Sequence, residues 1–384
     1  MNVEPSNVAS IGGPSPAPGQ ESVTEVRYEH SKDFPDLLKQ VGVSLLVSTY
    51  QAGKVLVIGT DPSSGAGAAK LSITFHNFEQ PMGMAVSARS LAIGTRRAVW
   101  FLSAAGDLAP RIEPVGRYDA AFLARSATFT GSIACHDLAW CAGELWVVNT
   151  LFSCLCTLQS EYNFVPRWRP PFITALAAED RCHLNGLATD GDKPRYVTVI
   201  GQTDTPGGWR ANKVAGGCIL EVPNGNVVAQ GLSMPHSPRL HDDRLWVLDS
   251  GRGNLSLVDV PTGKVQPVAT VPGYTRGLAF FGPYAFVGLS RIRESNVFGG
   301  LPIAEKRDEL ICGVGVIEWR TGRTVATFAL KSGVEEIYDV QVIPSRSVAL
   351  SGPNPDVDGS PTVWVVPPPA PDTIDKSGPN PQGA

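Results

Sequence analysis

Six short segments of this chain share one local pattern, and their spacing leaves few folds open. They are MGMAV from Met82, HDLAW from His136, NGLAT from Asn185, SPRLH from Ser237, RGLAF from Arg276 and YDVQV from Tyr338. Each has Gly, Asp or Pro in second position, followed by a mostly apolar run. Successive starts lie 54, 49, 52, 39 and 62 residues apart, which brackets the ~40–50-residue period of propeller blades. After each of the first five comes a turn and a second apolar strand: SLAIGT, ELWVVNT, RYVTVIG, RLWVLDS and YAFVGLS. Third and fourth strands are clearest in NLSLVDV with KVQPVATV, and in CGVGVIEW with TVATFAL. Four strands per repeat predicts an all-β propeller.

The first unit lacks its own inner strand. SLLVSTY, KVLVIGT and KLSITFHNF supply three strands, and IYDVQVI near the other end supplies the missing one. Pairing the N- and C-terminal strands in this way closes the ring and removes free edges. The expectation is a six-bladed β-propeller over residues 25–366. Residues 1–24 and 367–384 are read as disordered Pro/Gly-rich tails. A seven-bladed ring is the alternative, because SVALSG and TVWVV are left over near the end. Two stretches read as helical, DFPDLLKQV from Asp33 and ITALAAEDR from Ile173.

Composition agrees and excludes several function classes. Gly 40 and Pro 32 suit many tight turns. The net charge is −4, with no basic stripe, so no nucleic-acid partner is expected. No apolar run approaches the ~18 residues of a membrane span, and the N-terminus lacks the pattern of an export signal. The cytoplasm is the expected compartment. The seven cysteines are irregularly spaced and odd in number, which argues for buried thiols rather than a disulfide framework. Phosphate-loop, dinucleotide-binding, nucleophile-elbow and HExxH motifs are absent.

Residues just before each inner strand gather at one mouth of a propeller channel. Three of the six histidines fall there, in consecutive units: His136, His183 and His236. Imidazole is the commonest protein metal ligand, and three with a carboxylate leave positions open for water or substrate. Glu336 is the expected fourth ligand or base. Each histidine taken alone is as readily a strand cap, and the three stand at different offsets from the repeat. Two long connections, from Gly201 and from Ser290, follow second strands and overhang the same mouth. They carry Asp204, Trp209, Arg210, Lys213, Arg291 and Arg293 as expected substrate contacts. Arg276 and Asn185, at the heads of inner strands, join Glu336 as the expected catalytic set. His241, in a hairpin turn, reads as solvated, and His76 as an edge residue or a second visitor to the mouth.

The stretches CHDLAW, GELWVVNTLFSCLC, CHLNGLA, GGWRANK, MPHSPRL, LWVLDSG, TRGLAF and VGLSRIRE resemble a bacterial family of conserved hypothetical proteins of unknown function. The resemblance runs from about Val41 to Pro344 and implies a bacterial source and a propeller-like fold, but no activity. The residues themselves lead to a metal-dependent enzyme holding a divalent ion (Fe, Cu or Zn). It would act on a small anionic or peptide-like substrate by oxygenase or hydrolase/lyase chemistry. Two alternatives stand beside it: a non-catalytic platform for a protein or peptide, and a metal-free lyase or isomerase with a histidine base.

Overall fold

The computed structural model describes residues 7–11, 24–64, 67–292, 298–360 and 362–366. Their strands form six sheets, each built on four antiparallel strands placed side by side in chain order, the ring closure apart. The third blade is typical: Cys135–Cys141, Glu144–Asn149, Cys154–Gln159 and Tyr162–Trp168. The turns explain why neighbours in sequence become neighbours in the sheet. Ala142-Gly143 has φ of 51° and 81°, and Asp242-Asp243 has φ of 53° and 55°. Two consecutive left-handed residues make the tight hairpin whose twist matches that of the flanking strands. All seven cysteines are buried and free.

The expected closure is present. Asp339–Ile343 forms the inner strand of the first blade, pairing antiparallel with Ser44–Thr49 from Asp339 opposite Ser48 to Ile343 opposite Ser44. The propeller therefore has six blades. Val348–Ser351, left over for a seventh, instead runs parallel to Ala120–Phe129 on the outside of the second blade. Residues 362–366 form no strand. The N-terminal side adds a second clasp. Thr24–His30 pairs with Arg323–Leu330 on the outside of the sixth blade, and Asn7–Ile11 pairs outside it. Asn7–Ile11 thus departs from the tail expected there, because the sixth blade offers an open edge of backbone donors and acceptors. The remaining residues of both tails lie outside those described.

Phe34–Val41 is helical as expected. Pro35 sits in its first turn, and Gly42 at φ 76° ends it. Its buried Phe34, Leu37 and Leu38 join a core that includes Leu56 and Phe328. The helix expected from Ile173 does not form. There the N–H groups of Glu179 and Asp180 both bond to the Leu151 carbonyl of the third blade, and Asp180 takes φ 47°. That tertiary bonding, with a left-handed residue, leaves no room for a helical ladder.

The repeated second position finds its reason at the channel wall. Around the ring it holds Gly83, Asp137, Gly186, Pro238, Gly277 and Asp339, so glycine alternates with a larger residue. A Cβ on Gly83 would lie 2.7 Å from the Asp137 Cα, one on Gly186 2.3 Å from the Pro238 Cδ, and one on Gly277 2.7 Å from the Asp339 Cα. On its other side, each glycine-bearing strand is hydrogen-bonded to the preceding blade. Met84 N–H donates to Asp339 Oδ2 at 2.8 Å, Leu187 N–H to Asp137 Oδ2 at 3.0 Å, and Gly277 N–H to Ser237 Oγ at 3.0 Å. The six inner strands are therefore locked backbone to backbone.

This packing makes a stability test. Gly277 combines φ 81° with a Cβ position 2.4 Å from the Val340 nitrogen. Gly277→Ala is expected to lose about 2–4 kcal/mol in chemical denaturation, from backbone strain plus overpacking. Gly282, also left-handed at φ 54° but facing open space, is the control. Gly282→Ala should lose only about 1–2 kcal/mol. Equal losses would contradict the close approach of the inner strands.

Candidate functional site

The entry to four of the six inner strands is a sharp bend carrying a non-glycine residue in the left-handed region. Gln80, Ala134, His183 and Met234 have φ of 49°, 55°, 51° and 46°. This bend recurs where the second, third, fourth and fifth blades meet the channel. It turns short side chains from separate blades toward one mouth and absorbs the offsets between the histidines. His136 and His236 are second in their inner strands, and His183 immediately precedes its own. The rings converge: His136 lies 4.8 Å from His183 and 6.5 Å from His236, centre to centre.

In each of the three imidazoles Nδ1 is held by an acceptor. His136 Nδ1 is 2.7 Å from Thr150 Oγ1, whose own proton goes to the Leu184 carbonyl at 2.5 Å. His183 Nδ1 is 3.0 Å from both oxygens of Asp180. His236 Nδ1 is 2.9 Å from the Met234 carbonyl. Each partner can only accept, so each Nδ1 carries the proton and each Nε2 keeps a lone pair. The Nε2 of His236 is buried and has no hydrogen-bond partner among the described residues.

Electrostatics favour the uncharged forms of His136 and His236. Burial, followed by the nearby His183, Arg276 and His236, holds His136 well below the usual histidine range. Burial, followed by Arg276 and His183, does the same for His236. A phenol and a guanidinium complete the wall. The Tyr338 ring lies 5.2 Å from His136, and the Arg276 guanidinium sits 4.4 Å over it. Burial pushes the phenols of Tyr338 and Tyr274 upward, so both keep their protons.

Glu336 is close by but engaged: Arg276 Nη1 donates to it at 2.9 Å. Among the described residues, no set of three or more His, Cys, Asp and Glu side chains is grouped to hold a metal ion. Imidazoles sharing an ion place their ring centres about 5 Å apart, given metal–nitrogen bonds of ~2.0 Å. The His136–His183 pair meets that spacing, and His236 stands beyond it.

The other expected site residues divide. Trp209 belongs to the site: its ring is 4.4 Å from His183, and its Nε1 donates to Asp180 at 2.9 Å. Arg210 stacks on Trp209 at 4.3 Å, half-exposed, with Nη2 3.8 Å from Asp180. Asp204 accepts hydrogen bonds from Thr174 and Arg181 and braces the loop. Those bonds, the Thr174 hydroxyl first, pull its carboxyl down to about 2. Asn185 accepts a hydrogen bond from Thr198 at 2.6 Å, within its own blade. Arg291 reaches the Leu330 carbonyl of the sixth blade at 3.4 Å, and Lys213 is half-buried on the Trp209 loop. Arg293 lies outside the described residues.

Three contributors were not singled out in advance: Asp180, Thr150 and Tyr338. Asp180 stands three residues before His183, a spacing that offers a carboxylate to the ring. Of two other histidines, His241 departs from expectation and His76 takes the edge position, one of the two expected for it. His241 stacks flat on Phe280 at 4.3 Å, because the hairpin folds its ring onto the aromatic wall of the sixth blade. His76 is buried on the outer strand of the first blade, 3.6 Å from Asp358, and does not reach the mouth.

A family model described as a domain of unknown function (DUF4915) matches residues 32–350. No curated protein matches the chain. Two solved structures are similar in outline. A nidogen/laminin complex chain is 11% identical, with 79% of this chain and 100% of that chain covered, at a TM-score of 0.47. A protein of unknown function from Bacteroides caccae is 10% identical, with 79% of this chain and 99% of that one covered, also at 0.47. Similarity this weak bears neither on the site nor on its chemistry.

The depressed histidines set a pH dependence with a definite sign. Their folded pKa lies below the unfolded value of ~6.5, so their contribution to stability is complete above that pH. It is lost as pH falls through the folded pKa, because the unfolded chain takes up the proton first. Asp339 titrates with the opposite sign, since burial and the neighbouring Asp137 raise it. The comparison is therefore between wild type and His236→Gln. Between pH 7 and pH 5 the wild type should lose up to about 2 kcal/mol more than the variant, at 1.36 kcal/mol per pH unit. Thermal unfolding at both pH values measures this, and parallel losses would contradict a buried neutral His236.

Proposed function

The chain belongs to the DUF4915 family, a domain of unknown function, and we propose that it is an enzyme whose centre is a divalent metal ion at the histidine mouth. One observation carries the reading: His136, His183 and His236 each spend their Nδ1 proton on an acceptor and each keep a lone pair on Nε2. A water molecule can donate to two acceptors, not three. A cation satisfies all three at once, including the unpartnered Nε2 of His236. Asp180 behind His183 is the carboxylate–histidine arrangement that orients a ligand ring and raises its basicity. Uptake of the third ligand asks His236 to close on His136 by roughly 1.5 Å.

The surroundings favour an anionic or peptide-like substrate. The ion would polarise a substrate oxygen or activate a bound water, giving hydrolase or lyase chemistry; a redox-active ion would give oxygenase chemistry. Arg276 supplies positive charge beside the ion, tempered by Glu336. The protonated Tyr338 and Tyr274 are hydrogen-bond donors for charge developing on substrate. A histidine base without metal is less well supported, because a general base works best with its pKa near the operating pH. His136 and His236 are pushed well below it. Free, buried cysteines fit the reducing cytoplasm. Among the described residues, no helix is long and apolar enough to cross a membrane.

The test is elemental analysis of tag-free, full-length protein, purified and then loaded separately with Zn, Fe and Cu salts. About one ion per chain is expected, falling to near zero in His136→Ala, His183→Ala and His236→Ala. Asp180→Asn should bind the ion about 10–100-fold more weakly while unfolding cooperatively. No bound ion under any loading, or full retention in all three alanine variants, overturns the proposal.

A further inference from the structure

The inner strands all enter the channel at the histidine end, so their last residues line the opposite end. From Tyr274 to Phe280 is about 20 Å at ~3.3 Å per residue. At that far end lies a cavity of about 760 Å³, within the size range of small-molecule sites. Its walls come from the ends of inner strands in four blades and from the outer strand of the second. Phe122, Leu240, Phe280, Val342 and Ile343 give them an apolar portion. Five residues with polar side chains also line it: Ser87, Asp119, Arg239, Gln341 and Ser345, with the Asp119 carboxylate accepting from the Ser345 hydroxyl and the Ser347 N–H.

The hydrogen bonds of Arg239 define what its end of the cavity offers. Nε donates to the Leu278 carbonyl at 3.1 Å. Nη1 has more acceptors than hydrogens, with Asp137 Oδ2 at 2.8 Å and the carbonyls of Pro238 and Leu187 at 2.9 and 3.1 Å. Nη2 donates one hydrogen to Asp137 Oδ1 at 3.1 Å. A guanidinium has five N–H groups, so one, on Nη2, has no acceptor among the described residues. The fork-to-fork pair with Asp137 holds it in place. The charge around it is not in surplus. Asp137 lies against the guanidinium, and Asp339 is tied to Gln341, whose Nε2 donates to Asp339 Oδ2 at 3.0 Å.

We propose that this vestibule is a second ligand site, for a small, uncharged, largely apolar molecule presenting one carbonyl-type oxygen to Arg239. An anion would meet a guanidinium already matched by the Asp137 carboxylate, and a cation would meet the guanidinium itself. A neutral carbonyl takes up the spare N–H at the least desolvation cost, while its apolar body covers the aromatic and aliphatic wall. The site is separated from the histidine mouth by the length of the inner strands, so it stands or falls independently of the metal reading.

Full-length protein titrated with prodan, a neutral naphthyl ketone, tests this by fluorescence. Saturable binding of about one prodan per chain with a blue-shifted emission is expected. The anionic 1-anilinonaphthalene-8-sulfonate should bind at least about tenfold more weakly, a difference of ~1.4 kcal/mol. Ala279 and Ala120 line the cavity and are half-buried, so a larger side chain there fills the space without entering the core. Ala279→Trp and Ala120→Trp should each weaken prodan at least about tenfold, with metal content and unfolding midpoint unchanged; either variant suffices if the other misfolds. Absence of saturable binding overturns the proposal, as does binding unaffected by either substitution. Equal affinity for the sulfonate overturns the uncharged-ligand assignment.

Discussion

The architecture depends on how closely the six inner strands can approach around the channel. Glycines 83, 186 and 277 press against the backbones of blades led by Asp137, Pro238 and Asp339, at distances no Cβ tolerates. The carboxylates and the Ser237 hydroxyl then take N–H groups from the adjoining glycine blades. A ring in which glycine and larger residues alternate closes only with an even number of blades. Six blades satisfy that condition, and the strand left over pairs on the outside of the second blade. The closure by Asp339–Ile343 is part of the same system, since Asp339 ends the ring at Ser48 and reaches forward to Met84.

The site is a by-product of that ring. Strands that begin with a left-handed bend bring the residue at the bend and the next few to one mouth, whatever their distance along the chain. The histidines are then polarised from behind by groups belonging to the wall: Thr150 just after the second strand of the third blade, Asp180 on the connection between blades, and a carbonyl two residues upstream of His236. The depressed basicity of His136 and His236 follows from burial and neighbouring charge, and the fixed tautomers follow from those partners. The far vestibule differs in character, with a mixed apolar and polar wall around a firmly held guanidinium.

Much of this was legible in the chain. The six-fold pattern, its period, the strand-pairing turns and the missing inner strand at the start lead to the closed ring. The register of His136, His183 and His236 leads to their meeting. Other features were hidden because their causes are not local. The stretch from Ile173 has helical composition, yet Glu179 and Asp180 bond to Leu151 of another blade. His241 sits in a polar turn, yet its ring lies on Phe280. Val348–Ser351 reads as an isolated strand, and only the open edge of the second blade gives it a partner. Asp204 and Arg291 look like ligand-facing groups but are spent on bracing loops.

The sequence by itself determined the repeat, its period and which residues stand at the head of each inner strand, because strand alternation and turn chemistry act over a few neighbouring residues. Tertiary structure alone decided which polar groups are free. Asp180 is committed to His183 and Trp209, Glu336 to Arg276, and Asp137 to Arg239. Those pairings join positions up to 102 residues apart, and they form only once the blades have closed around the channel and excluded the water that would otherwise satisfy each group separately.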